Sequence, residues 1–212
     1  PYPWFGGKSS IMGEVWARFG SVRNFVDPFL GSLAPLLCRP EPFEGTETVN
    51  DLDGFIANFW RAVQADPEAV AHHADWPVNE NDLHARHAWL VGRKDSIQSR
   101  LEGDPEWFDA KVAGWWCWGV CCWIGSGWCS GKGPWHVVDG ELIKVEGDAG
   151  RGVNRKLPKL NVGGVRSDCG PILDYFAKLS GRLCRVRVCC GDWTRVCGPT
   201  PTTKQGLTAV FL

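Results

Sequence analysis

Three acidic turns constrain the fold of this chain more than any other feature. Asp27, Asp51 and Asp192 lie at or just past the ends of runs with strand character, at Val22 to Phe29, Thr46 to Val49 and Leu183 to Cys189. After the first run, Asp27-Pro28-Phe29-Leu30-Gly31-Ser32 makes a tight glycine-containing turn into a short helix around Leu33 to Leu37. After the second, Asn50-Asp51-Leu52-Asp53 leads into a helix that Asp53 is placed to cap and that Asp66-Pro67 closes. Phe55, Phe59 and Val63 share one face of that helix, and Ile56 and Trp60 widen it. Strand, turn and helix repeated in this order predict a parallel sheet with crossover helices. Ligands of such open sheets bind beyond the C-terminal ends of the strands, so the three carboxylates are expected to converge on one crevice.

The rhythm breaks between Trp76 and Arg166. Two long helices are expected there, Asp82 to Leu101 and Pro105 to Ile124, the second started by Asp104 before Pro105, and a Gly-rich basic stretch follows. The α/β rhythm then resumes with a helix from Cys169 to Ser180, a strand from Leu183 to Cys189, a turn at Gly191-Asp192-Trp193 and a last apolar strand from Leu207 to Leu212. The chain thus divides into a first α/β half (residues 1–75), an insertion (76–166) and a return to the α/β domain (167–212).

A net charge of −1 excludes any global attraction to nucleic acid, so such contact requires a local basic patch. The tract from Asp148 to Arg166 supplies one: Arg151, Arg155, Lys156, Lys159 and Arg166, with Asn154 among them, face a single acid. Flexible basic loops suit phosphate contact because their cations displace condensed counterions. No apolar run is long enough to span a bilayer, and the N-terminus lacks a signal-peptide pattern, so a cytoplasmic protein with no membrane partner is expected.

The chain has 10 Cys and 13 Trp, and both need a place. The adjacent pairs Cys121-Cys122 and Cys189-Cys190 sit in apolar segments and read as reduced core residues. Cys117 and Cys121 are one helical turn apart, but the surrounding Trp-rich run lacks the paired ligand spacing of zinc sites, so a buried helix and no metal are expected. His72, His73, His84 and His87 lie in polar helical surroundings and read as solvated helix surface. Among the acids, Asp51 suits the vicinal hydroxyls of a ribose, and Asp192 suits an adenine amino group with Trp193 or Phe29 packing the ring.

The order of motifs resembles one family. Pro3-Trp4-Phe5-Gly6-Gly7-Lys8 resembles the N-terminal cofactor motif of Dam-type DNA adenine methyltransferases, Val26-Asp27-Pro28-Phe29-Leu30-Gly31-Ser32 their Gly loop, and Asn50-Asp51-Leu52-Asp53 with Asn58-Phe59-Trp60 their second acidic strand end. Val188-Cys189-Cys190-Gly191-Asp192-Trp193 resembles their adenine-contacting strand end, and the Trp- and Cys-rich run ending at Cys129 is similar to that of prophage-like members. The resemblance implies a class I, Rossmann-like S-adenosylmethionine-dependent methyltransferase sheet with a mainly helical insertion for target recognition. It implies a cofactor site at Trp4, Gly6, Gly7, Lys8, Asp27, Phe29, Gly31, Asp51, Asp192 and Trp193, and double-stranded DNA with a flipped adenine as substrate. Leu33 departs from the pattern, because the family usually has a second glycine there, and is expected to narrow the loop or move its backbone. In the family an apolar strand leads to Asp-Pro-Pro-Tyr. Leu207 to Leu212 takes that strand's place, so the catalytic residues are expected beyond Leu212, both ends are expected to be cuts in a longer protein, and this stretch by itself is expected to transfer no methyl group. The cofactor motifs alone leave two other readings open: a methyltransferase of RNA or a small molecule, and a non-catalytic DNA-binding module.

Overall fold

A computed structural model describes residues 2–4, 7–41, 44–124, 127–130, 135–144, 153–154 and 170–212. Its centre is a parallel four-stranded sheet formed by β1 (Asn24–Asp27), β2 (Thr46–Asp51), β5 (Val186–Cys190) and β6 (Thr208–Val210) in the order β5-β2-β1-β6. Every residue of β1 is buried, as a central strand of a covered parallel sheet requires. In β5, at the sheet's edge, Val186, Val188 and Cys190 are buried while Arg187 is exposed. Because all four strands run the same way, their C-terminal ends share one edge, and the turns that carry Asp27, Asp51 and Asp192 gather there.

The helix α3 (Gly54–Ala65) forms the middle of the core. Asp53 caps it through the N–H of Phe55, as the sequence predicts, and every residue from Gly54 to Val63 is buried. It packs against α6 (Lys94–Gly103), α7 (Ala110–Cys122) and α8 (Gly170–Leu183), as well as β2 and β5. The buried Arg61 guanidinium joins β5 to the end of α6 by donating to the carbonyls of Val188, Leu101 and Asp104. Asp66 ends α3 and also caps α4 (Pro67–Ala74), a helix absent from the sequence reading. The α4 and α7 backbones pass so closely that a Cβ on Gly114 would lie 2.4 Å from the Cβ of His73.

The structure corrects several expectations. The helix expected from Asp82 to Leu101 is two helices, α5 (Glu80–Val91) and α6, broken at Gly92-Arg93. Glycine weakens a helix interior by about 1 kcal/mol, and the bend lets Ile97 and Leu101 join the core beside α3. The second long helix starts at Ala110, not Pro105, because Asp109 rather than Asp104 caps it, through the N–H of Val112. Asp104 instead makes a local turn with the N–H of Glu106. His84 and His87 are buried, not solvated: His87 stacks on Trp123 at 9° between ring planes and accepts the N–H of Cys129 on Nδ1. A polar helix neighbourhood hid the fact that α7 and its Trp-rich continuation cover that face. The basic stretch holds a hairpin, β3 (Trp135–Val138) and β4 (Glu141–Lys144), closed by Asp139-Gly140 with φ of 51° and 85°. Asp-Gly is the preferred pair for such a turn, so this signal was present in the sequence and passed over.

The adjacent cysteine pairs lie where expected: Cys121, Cys122 and Cys190 are buried, and no described cysteine is bridged. Burial pushes the Cys122 thiol up to about 12 and the Cys190 thiol up to about 11, which keeps both protonated at neutral pH. No described helix is long and apolar enough to cross a membrane.

At the opposite edge of the sheet from the acidic turns, the buried Glu47 carboxylate accepts from Arg39 at 3.0 Å and from Arg182 at 2.8 Å. Arg39 also donates to the Val22 carbonyl and lies over the Trp16 ring, which locks the starts of β1 and β2 to the end of α8. The Glu47 carboxylate serves both guanidinium groups, and removing one partner of a buried pair costs about 3–5 kcal/mol. Glu47→Ala is therefore expected to lose about 3 kcal/mol of stability, at the low end because Arg182 is partly exposed. Urea unfolding followed by tryptophan fluorescence measures this, and a loss below about 1 kcal/mol would contradict it.

Candidate functional site

The loop after β1 is built around the peptide of Gly31. Its N–H donates to Asp51 Oδ2 at 3.0 Å. Its carbonyl accepts from Tyr2 Oη at 2.8 Å and from Trp60 Nε1 at 3.0 Å. Tyr2 brings the N-terminal segment along, since its ring packs edge-on against Phe59 and Trp116. This sets Trp4 over the loop, where a Cβ on Gly31 would lie 2.7 Å from Trp4 Nε1. With a φ of 43° as well, position 31 accepts only glycine.

Trp4, Gly7, Lys8, Asp27, Phe29 and Gly31 line one cavity of about 260 Å³, together with Leu30, Ser32, Ala34, Pro35, Phe211 and Leu212. Six of the expected site residues therefore meet in one place. Three others occupy the neighbouring strand ends outside this lining. Asp51 sits behind Gly31, with its second carboxylate oxygen taken by the N–H of Asp53. Asp192 is exposed after β5, accepting from the N–H and hydroxyl of Thr194, which holds its carboxyl below the usual range, and Trp193 beside it is half exposed. Gly6, Arg151, Arg155, Lys156, Lys159 and Arg166 lie outside the described residues. Asn154 is described; its N–H donates to the Cys122 carbonyl at the end of α7. Tyr2, Asn50, Trp60 and Phe211 belong to this region and were missed. Asn50 and Trp60 had a sequence signal, since both stand in the motif around the second acidic strand end, but neither was expected as a site residue.

Asp27 is the unusual group of the cavity. Oδ1 accepts the Phe29 N–H at 3.2 Å, while Oδ2 is buried with no hydrogen-bond partner among the described residues. Burial pushes its pKa up to about 7, against the partial relief of that N–H. Burial also raises Asp51, opposed by the N–H groups of Asp53 and Gly31.

Leu33 keeps the conformation that a glycine would adopt. Its φ and ψ of 62° and 18° are left-handed, its N–H donates to the Leu30 carbonyl, and its side chain is fully buried. The loop therefore follows a glycine-like path, with the leucine anchored in the core.

A parallel sheet of this order, with a glycine turn after its first strand and an acid after its second, is Rossmann-like and fits a methyltransferase fold. Residues 4–91 match the family model described as D12 class N6 adenine-specific DNA methyltransferase. The chain is also 30% identical over 97 residues to a DNA adenine methylase of Vibrio cholerae serotype O1, from both the Classical Ogawa and the El Tor Inaba strains. Those alignments cover 45% of this chain and 33% of each relative, so the chain matches about a third of the length of these curated relatives.

Two predictions test this geometry. Leu33→Gly relieves a left-handed backbone worth about 1–2 kcal/mol but deletes a buried leucine side chain worth about 2–5 kcal/mol. The larger loss wins, and the variant is expected to unfold at lower denaturant. A stabilised variant would show that the strain dominates. For Asp27 the folded pKa lies above the unfolded one, so the folded chain holds a proton that the unfolded chain releases, and stability falls as pH rises from about 4 to about 7. At about 1.4 kcal/mol per pH unit the full cost is at most about 4 kcal/mol. Asp27→Asn is expected to flatten this decline, read as Tm at pH 5 and pH 8. Parallel declines in the two proteins would rule out an acid with a raised pKa at position 27.

Proposed function

We propose that this chain acts in a DNA adenine methyltransferase that moves a methyl group from S-adenosylmethionine to the exocyclic amine of adenine in double-stranded DNA. The observation that carries this reading is the overlap of the family match with the cavity: the matched residues 4–91 include nearly all of its lining.

The residues present fit the donor. The cavity is smaller than the ~300–1,000 Å³ of pockets that enclose a whole drug-sized ligand, which suits one end of the molecule. The unpartnered Oδ2 of Asp27 suits the cationic amine of a methionine moiety, and binding such a cation would return Asp27 to its ionised form. Trp4, Gly6, Gly7 and Lys8 approach the same end, Phe29 and Gly31 form its wall, Asp51 takes the ribose hydroxyls, and Asp192 with Trp193 takes the adenine. When bound, the donor supplies an electrophilic methyl on a sulfonium. The adenine nitrogen forms a bond to that carbon as the carbon–sulfur bond breaks, and the nitrogen's extra proton passes to solvent.

Residues 76–166 are the target-recognition module in this reading. Arg151, Asn154, Arg155, Lys156, Lys159 and Arg166 contact DNA phosphates, and the target base leaves the stack because its amine cannot otherwise reach the methyl. The basic composition of that tract supports this assignment, as does its place in the chain.

Calorimetric titration of the chain with S-adenosylmethionine is expected to show one site, weakened about tenfold or more by Asp51→Ala, on the scale of one lost charge-assisted hydrogen bond. The gene's full product is expected to transfer radiolabelled methyl to unmethylated duplex DNA. No donor binding by the chain, together with no transfer by the full product, would overturn the proposal.

A further inference from the structure

Asn50 is fully buried in the last turn of β2, the strand between β1 and β5, and the mechanism above gives it no part. Its side-chain amide donates two hydrogen bonds to opposite sides, one to the Pro28 carbonyl at 3.2 Å and one to the Gly191 carbonyl at 2.9 Å. Pro28 belongs to the loop that carries Phe29 and Gly31, and Gly191 to the turn that carries Asp192 and Trp193. The backbone repeats the arrangement: the Asn50 carbonyl accepts the Leu30 N–H at 2.8 Å, and the Asp51 carbonyl accepts the Gly191 N–H at 3.0 Å. The end of β2 thus holds both flanking loops, and among the described residues Asn50 is the side chain that reaches both loop carbonyls.

We propose that Asn50 is a positioning residue that fixes the distance between the methionine end and the adenine end of the donor site without touching the donor. The inference rests on the methyltransferase reading. The chemistry of the residue is specific to it. A primary amide carries two N–H donors pointing apart, so it can satisfy two carbonyls on opposite sides. An ionised aspartate has no donor, and serine has one on a shorter arm. The Oδ1 atom is buried with no hydrogen-bond partner among the described residues, a cost that an apolar side chain would not incur. The amide is kept despite that cost, as expected if its two donors serve the spacing of the loops.

A residue that sets spacing affects ligands that span both loops more than ligands that touch one. The experiment compares the unsubstituted chain with Asn50→Asp and with the smaller Asn50→Ser, which keeps one donor and is the variant to use if the aspartate prevents folding. S-adenosylhomocysteine spans both ends, and 5′-methylthioadenosine lacks the amino-acid end. Affinity for S-adenosylhomocysteine is expected to fall about tenfold or more as preorganisation is lost, while affinity for 5′-methylthioadenosine changes by less than about threefold. Amide hydrogen exchange without ligand is expected to quicken together at Leu30, Gly31 and Gly191, with the interior of α3 unchanged. Equal losses for the two ligands, faster exchange in one loop alone, or unchanged S-adenosylhomocysteine affinity would overturn the proposal. If neither ligand binds the unsubstituted chain, the exchange result alone decides whether Asn50 couples the two loops, and methyl transfer by the full product decides the donor reading separately.

Discussion

The arrangement of the site depends on how the Gly31 peptide is held. Its N–H is fixed by the Asp51 carboxylate and its carbonyl by Tyr2 and Trp60, so the strand ends, the N-terminal segment and the central helix meet at one amide. Buried polar groups must be paired, and a peptide paired on both sides by elements from distant parts of the chain cannot shift alone. Trp4 can lie against this loop only because position 31 has no side chain. The cavity is thus a consequence of core packing: Tyr2 and Trp60 are core side chains that also shape it.

The helical layer gives that amide a rigid backing. Tyr2 rests on Phe59 and Trp116, Phe59 on Phe176, and Gly114 lets α7 close on α4. Tryptophans supply large buried area with few rotamers, and the cysteines fill small gaps between them as protonated, apolar groups. The Trp and Cys run of α7 is therefore a packing solution for a helix that meets α3, α4 and α5 and buries most of its residues.

Charge is distributed unevenly between the two edges of the sheet. At the strand starts, Glu47 is matched by two arginines. At the strand ends, Asp27 and Asp51 are drawn into the interior without an ion pair among the described residues, and burial raises both pKa values. Unmatched buried acid is costly in the free protein and favours a cationic ligand, which is how binding sites commonly hold free energy in reserve.

The sequence by itself determined the strand ends, the capping of α3 by Asp53 and the glycine turn at position 31, because each is written in residues close together in the chain. It also placed six cavity residues through local motifs. Only the tertiary structure decided the rest. The break at Gly92-Arg93 and the later start of α7 follow from which helix faces reach α3, and periodicity within a segment carries no information on its partners. His84 and His87 look solvated in sequence because the covering Trp123 and Trp128 come from another helix and its continuation. Asn50 shows the same limit: a single residue gives no sign that its two donors face two loops, one about 20 and the other about 140 positions away. Parallel pairing brings such distant loops together at one sheet edge, so which side chains meet there is decided by strand order, a property of the whole chain.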